Sequence, residues 1–259
     1  MTFHRYVALG DSFTEGVGDP DETRPNGLRG WADRVAEQLA KNNPDFGYAN
    51  LAIRGKLLQQ VIDEQVEEAL ALNPDLITIS AGGNDTIRPG SNPDIIAAKL
   101  GEALERLRSG GATVVVFTGV DVGFSKVFSR IRGLVAIQNE NIRLEAARTG
   151  AIVADLWALK SIQNPKMWDE DRLHLAPLGH QAVAAMVLKT LGVPHDLEDP
   201  EPPAVQPLPW RKEKMEDIAW AKDHLFPWVM RRIRHQSSGD NISPKLPTPV
   251  PPLPPSTDE

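Results

Sequence analysis

The stretch Gly10-Asp11-Ser12-Phe13-Thr14 places a serine directly after a short apolar run, Tyr6-Val7-Ala8-Leu9. The run reads as a strand, and the glycine permits a sharp turn that leaves Ser12 just past the strand end. In an open α/β sheet, ligands bind in the crevice at that end. A serine hydroxyl is a weak nucleophile until a neighbouring base takes its proton. Asp171-Arg172-Leu173-His174 supplies such a base far downstream. An acid three residues before a histidine can share its turn and orient the imidazole. Acyl transfer also needs preorganised N–H donors around the developing oxyanion. Asn50-Leu51-Ala52-Ile53-Arg54-Gly55 closes a second apolar segment on a glycine, whose N–H can approach a ligand with no Cβ in the way. A third strand, Leu76 to Ser80, runs into Ala81-Gly82-Gly83-Asn84-Asp85, where Asn84 offers a side-chain amide donor.

These residues need a scaffold, and the chain alternates strand and helix patterns. Strands are expected at Tyr6–Leu9, Tyr48–Ile53, Leu76–Ser80, Ala112–Thr118 and Ala151–Leu156. Helices are expected at Leu28–Lys41, Leu57–Leu70, Ser91–Arg108, Ser129–Arg148 and Pro177–Leu191. The repetition implies a parallel sheet with helices on both faces. The expected fold class is α/β, a three-layer α/β/α sandwich around a flavodoxin-like parallel sheet of five strands.

Ser12, Gly55, Asn84 and His174 occur in that order, the first three just past strands. The order resembles the SGNH branch of the GDSL hydrolase family, named for a Ser, Gly, Asn and His in four blocks. The matching blocks are Gly10-Asp11-Ser12, then Gly55, then Gly82-Gly83-Asn84-Asp85, and finally Asp171 to His174. One departure is Phe13, where the family name has leucine; both are apolar and suit packing under the nucleophile turn. The overall pattern is similar to the small intracellular actinobacterial members with a Trp-rich C-terminal extension. The resemblance implies Ser12, Asp171 and His174 as catalytic triad, with Ser12, Gly55 and Asn84 as oxyanion donors. It implies a serine esterase acting on carboxylic esters of small or medium acyl groups, with no cofactor. A thioesterase or a carbohydrate or metabolite O-deacetylase is the alternative within enzymes. A non-catalytic binding protein on the same fold is the alternative outside them.

Arg54 and Asp85 flank two of these blocks and are candidate substrate contacts. His180 competes with His174 for the role of base, but its place inside the last helix favours a structural part. Asp169, Asp155 and Trp157 read as solvated or supporting residues.

The chain has 259 residues, a net charge of −7 and no cysteine. The acidic balance argues against nucleic-acid binding, and the lack of cysteine excludes disulfides and thiolate metal sites. The histidines form no metal-ligand spacing. No apolar run approaches the roughly eighteen residues that a membrane-spanning helix needs. Met1 to Arg5 leads straight into the first strand with no signal-like apolar region, so a cytoplasmic location is the expectation. The domain reading is a catalytic unit at 1–193, followed by a proline-rich acidic linker at 194–209. A helical extension then spans 210–235, with Ile218, Leu225, Trp228, Val229 and Ile233 near one face. That stripe reads as a surface packed on the outer helices. Residues 236–259 hold a run of prolines and read as a disordered tail, with capture of a protein partner as an open role.

Overall fold

The computed structural model describes residues 2–41, 43–205, 209–227, 230 and 237–254. Five strands follow the chain as β1 (Arg5–Gly10), β2 (Gly47–Asn50), β3 (Leu76–Ser80), β4 (Thr113–Phe117) and β5 (Ile152–Ala154), all parallel. The principal helices around them are α1 (Ser12–Glu15), α2 (Gly30–Ala40), α3 (Leu58–Val61), α4 (Glu67–Ala71), α5 (Gly83–Thr86), α6 (Pro93–Ser109), α7 (Arg132–Thr149) and α8 (Pro177–Thr190). A π-helical turn, Ile62–Val66, joins α3 to α4.

The alternation of side chains along each strand divides the core in two. Tyr6 and Ala8 of β1 pack with Trp31 and Val35 of α2 and Val183 and Val187 of α8. Val7 and Leu9 face the other way, against Leu100 and Leu104 of α6 and Ile142 of α7. Both faces of the sheet are therefore buried, as the nearly continuous apolar strands require. The order of these five strands in the sheet is β5-β4-β3-β1-β2. The chain reverses its direction of growth beside β1, and such a switch point is where this topology binds ligands. The blocks carrying Ser12, Gly55 and Asn84 leave three neighbouring strands at that point.

Among the described residues the sheet has six strands and not five. The sixth, β6 (Leu246–Val250), pairs antiparallel with β2. It lies in the segment read from composition as a disordered tail. Prolines lack the N–H a central ladder needs, but an edge strand tolerates them where that N–H would face away from its partner. Pro247 and Pro249 alternate along such an edge. Lys245, only 5% exposed, anchors the strand. Its Nζ donates to the carbonyls of Leu28 (3.3 Å) and Arg29 (2.7 Å) and pairs with Asp33 at 2.9 Å. Arg24 holds the chain beyond β6, donating to the carbonyls of Leu253 and Pro254.

The linker at 194–209 has no helix or strand among its described residues and follows the surface of α2 and α8. The Asp196 N–H donates to Gln38 Oε1, and Gln181 donates to the Glu198 carbonyl. A further helix, α9 (Trp210–Trp220), has no buried residue. Ile218, expected in the packing stripe, is 61% exposed, and the Leu225 side chain is not among those described. Trp228, Val229 and Ile233 lie outside the described residues. No described helix is long and apolar enough to cross a membrane.

Candidate active site

The turn after β1 has a steric cause. Gly10 has φ +149°, and a Cβ there would stand 2.4 Å from the Ser80 carbonyl oxygen of β3. Only glycine lets the two strand ends come this close, and the chain then starts α1 at Ser12. Asp11 caps that turn, its carboxylate accepting the Phe13 N–H at 3.1 Å. The Phe13 ring packs against Trp31 and Phe117, each at 5.5 Å between centroids. This apolar contact fixes the base of the turn under Ser12.

Asp171 organises the loop that carries His174. One carboxylate oxygen accepts the N–H groups of Leu173 and His174, both at 2.9 Å. The other oxygen meets His174 Nδ1 at 2.5 Å. With Nδ1–H donating to that carboxylate, Nε2 is free to accept, and it lies 3.0 Å from Ser12 Oγ. Burial raises the Asp171 pKa, but the His174 hydrogen bond and charge and the two backbone N–H groups outweigh it. The carboxyl is held down at about 2. Asp171 is therefore ionised at neutral pH and suited to stabilising an imidazolium. The fold thus brings together residues about 160 positions apart in the order serine, imidazole, carboxylate, an arrangement that activates a hydroxyl for attack on a carbonyl.

His180 is no part of this relay. It is buried in α8, its Nδ1 accepting the Trp31 N–H at 3.2 Å and its Nε2 donating to the Val17 carbonyl at 3.1 Å. Those partners suit the neutral ring, and burial pushes its pKa down to about 4.

The oxyanion candidates cluster beside Ser12. The N–H groups of Ser12 and Gly55 have no acceptor among the described residues. The Asn84 amide donates to Asp11 Oδ2 and to the Lys56 carbonyl, each at 3.0 Å. Asn84 thereby ties the turn after β3 to the serine turn and to the Gly55 loop. Burial raises the Asp11 pKa to about 6, against the lowering effect of the Phe13 N–H, the His174 charge and the Asn84 amide.

Arg54 and Asp85, expected at the substrate, are used otherwise. The Arg54 guanidinium is taken up by Glu15, with Nη2 to Oε1 at 2.5 Å and Nε to Oε2 at 3.0 Å. Glu15 is fully buried and also accepts the Arg54 backbone N–H at 2.8 Å. Asp85 accepts the Leu58 N–H at 2.9 Å and caps α3. Neither residue lines the cavity beside Ser12. Glu15 was missed in the sequence because a carboxylate one helical turn from a nucleophile reads as a solvated charge. Its lack of a basic neighbour in sequence gave no signal of Arg54.

That cavity, about 230 Å³, opens on Ser12 and His174. It runs between the ends of β3 and β4 and the inner face of α7. Its walls are mainly apolar, with Ile87, Val122, Phe124, Phe128, Val135 and Ile142 among them.

Residues 8–182 match the model of the GDSL-like Lipase/Acylhydrolase family. The chain belongs to that family. Among curated relatives, the YpmR protein of Bacillus subtilis is 32% identical over 88 residues, covering 32% of each chain. An arylesterase of Vibrio mimicus is 27% identical over 119 residues, covering 43% of this chain and 52% of its own. The alignments thus span about a third to a half of the curated relatives. Axe2, an acetylxylan esterase from Geobacillus stearothermophilus, superposes with a TM-score of 0.61 at 18% identity, covering 75% of this chain and 98% of its own. At that identity the likeness shows the fold alone. The matched range includes Ser12, Gly55, Asn84, Asp171 and His174.

Proposed function

We propose that this GDSL-family member is a serine carboxylesterase working through an acyl-enzyme. The single observation that carries the reading is the Ser12–His174–Asp171 relay, at 3.0 and 2.5 Å, opening into an apolar cavity. Ser12 Oγ attacks the ester carbonyl while His174 Nε2 takes its proton. The N–H groups of Ser12 and Gly55 receive the oxyanion, with the Asn84 amide as a third donor once it turns from Asp11 or the Lys56 carbonyl. His174 then returns the proton to the leaving alcohol, and water attacks the acyl-enzyme by the same route in reverse. Asp171 holds the imidazole tautomer throughout.

The cavity favours a small to medium alkyl acyl group, since its walls offer dispersion contact and few hydrogen-bond partners. The same feature argues against a sugar held within it. A fluorophosphonate probe and a p-nitrophenyl ester panel of increasing acyl length test the reading. Ser12→Ala is expected to abolish labelling and to lower kcat by about 10⁴-fold or more, with Ser12→Ala/His174→Ala little worse because the pair acts as a unit. Labelling that persists in Ser12→Ala would exclude Ser12 as the nucleophile.

A further inference from the structure

The C-terminal extension touches the site at two separate places. On one side α9 stands over the acid–base loop. Trp220 Nε1 donates to the Asp171 carbonyl at 3.0 Å, and Asp217 pairs with Arg172 at 2.7 Å. The Arg172 guanidinium also lies over the Trp220 ring, 5.0 Å from its centroid. Lys126, on the loop across the cavity, pairs with Glu213 at 2.6 Å and with Asp217 at 3.0 Å. On the other side the chain returns at the oxyanion loop. Ser237 Oγ donates to the Arg54 carbonyl at 3.4 Å, and a Cβ on Gly239 would stand 2.1 Å from that same oxygen.

We propose that Trp220 and the Ser237–Gly239 turn are positioning residues of the catalytic apparatus. Trp220 acts through Asp171, and the Ser237–Gly239 turn acts through the Arg54–Gly55 peptide. The proposal rests on the reading of Ser12 as nucleophile.

The second contact acts through a covalent constraint. The Arg54 carbonyl and the Gly55 N–H belong to one peptide unit, which is planar and trans. A group that fixes the carbonyl on one side therefore aims the N–H at the opposite side. Glu15 holds the Arg54 N–H and guanidinium, so Ser237 and Gly239 supply the constraint on the other end of the residue. Gly55 itself has φ +78°, and a Cβ there would meet Ser237 Oγ at 2.3 Å. The space left by this glycine is filled by the returning chain. The first contact works likewise: Asp171 presents its carboxylate to His174 while Trp220 holds its backbone from behind. The outer end of the extension is secured independently by β6 and Lys245. The Ser237–Gly239 contact is thus continuous with a strand of the sheet.

Two variants of the full chain test this, with Ser12→Ala as blank and Met215→Ser on the solvent face of α9 as control. Trp220→Phe keeps an aromatic ring for Arg172 but removes the N–H donor to Asp171 along with part of the indole. Gly239→Ala keeps an ordinary backbone conformation and presses a methyl group on the Arg54 carbonyl. Trp220→Phe is expected to lower kcat about tenfold, with KM within about twofold and Tm nearly unchanged. Its acid limb of kcat/KM against pH moves to lower pH, because a displaced Asp171 stabilises the imidazolium less. Gly239→Ala is expected to lower kcat by about 10- to 100-fold with KM little changed, approaching the loss of an oxyanion donor. A purely structural role would leave the pH limb and the kcat-to-KM split as in the wild type. The proposal is overturned if both variants keep kcat within about threefold, or if the loss appears in KM alone. An active Ser12→Ala would sink the nucleophile reading together with this one, whereas an inactive Ser12→Ala beside normal Trp220→Phe and Gly239→Ala would sink this one only.

Discussion

Replacing Lys245 by alanine tests whether the proline-rich tail is part of the folded unit. The Lys245 side chain is fully shielded from solvent, and the Asp33 side chain nearly so. Removal strips one buried carboxylate of its cation and two carbonyls, of Leu28 and Arg29, of a donor. Asp33 keeps only the Tyr48 hydroxyl, at 2.7 Å, among the partners described. Removing one member of a buried ion pair costs about 3–5 kcal/mol, because the other charge stays buried. In a protein of this size each kcal/mol moves Tm by about 2–4 °C, so a fall of roughly 6–20 °C is expected. Lys189→Ala is the control, since it breaks the Lys189–Asp199 pair, both of whose side chains are more than half exposed. Such surface pairs contribute about 0–1 kcal/mol, or a few degrees at most. Thermal unfolding followed by circular dichroism at one pH and salt concentration reads both. If Lys245→Ala melts no lower than Lys189→Ala, the lysine is not buried at α2 and the sixth strand is not docked.

Two further outcomes follow from the buried histidine and the cavity. The folded-state pKa of His180, about 4, lies below the ordinary value of 6.5. The unfolded chain therefore binds the proton first, and the stability His180 contributes above pH 6.5 declines as pH falls toward 4. Between pH 8 and 5 the loss is about 2 kcal/mol. Urea unfolding at several pH values should show the gap between wild type and His180→Gln narrowing by that amount, and parallel curves would contradict a buried neutral imidazole. Val135→Phe should fill the inner cavity, and each methylene excluded forfeits about 0.8 kcal/mol. Excluding three would lower kcat/KM for an octanoyl ester roughly fifty-fold while leaving the acetyl ester near wild type. Equal losses on both esters would show that the acyl chain lies elsewhere.

The parallel strands and the site turns were legible because their signals are local. A continuous β-branched run such as Val114-Val115-Val116 fits a strand buried on both faces, and the structure places it so. Glycines before Ser12 and Asn84 announced sharp turns at strand ends. Arg54 was misread for the opposite reason. Nothing near it in sequence shows that Glu15, 39 positions away, would be buried against it. The proline-rich tail was misread because composition measures how poorly a segment folds alone. It does not register an edge strand already waiting on β2. Ile218 was misread as a packing residue because its place in the apolar pattern does not show which face of α9 meets the protein. The face that does meet it is polar and aromatic, through Glu213, Asp217 and Trp220.

Sequence alone determined the chemistry on offer: a serine after a strand, an Asp-x-x-His turn, and glycine and asparagine at further strand ends. These depend on residue type and on spacing of a few positions, which the backbone converts directly into turns. Tertiary structure decided which partners those groups would have. It set His174 and not His180 against Ser12, gave Arg54 to Glu15, and laid the C-terminal chain across the carbonyl that aims the Gly55 N–H. The physical reason is that a hydrogen bond or ion pair between distant segments depends on strand order and on burial, and neither is written in the local pattern of either segment.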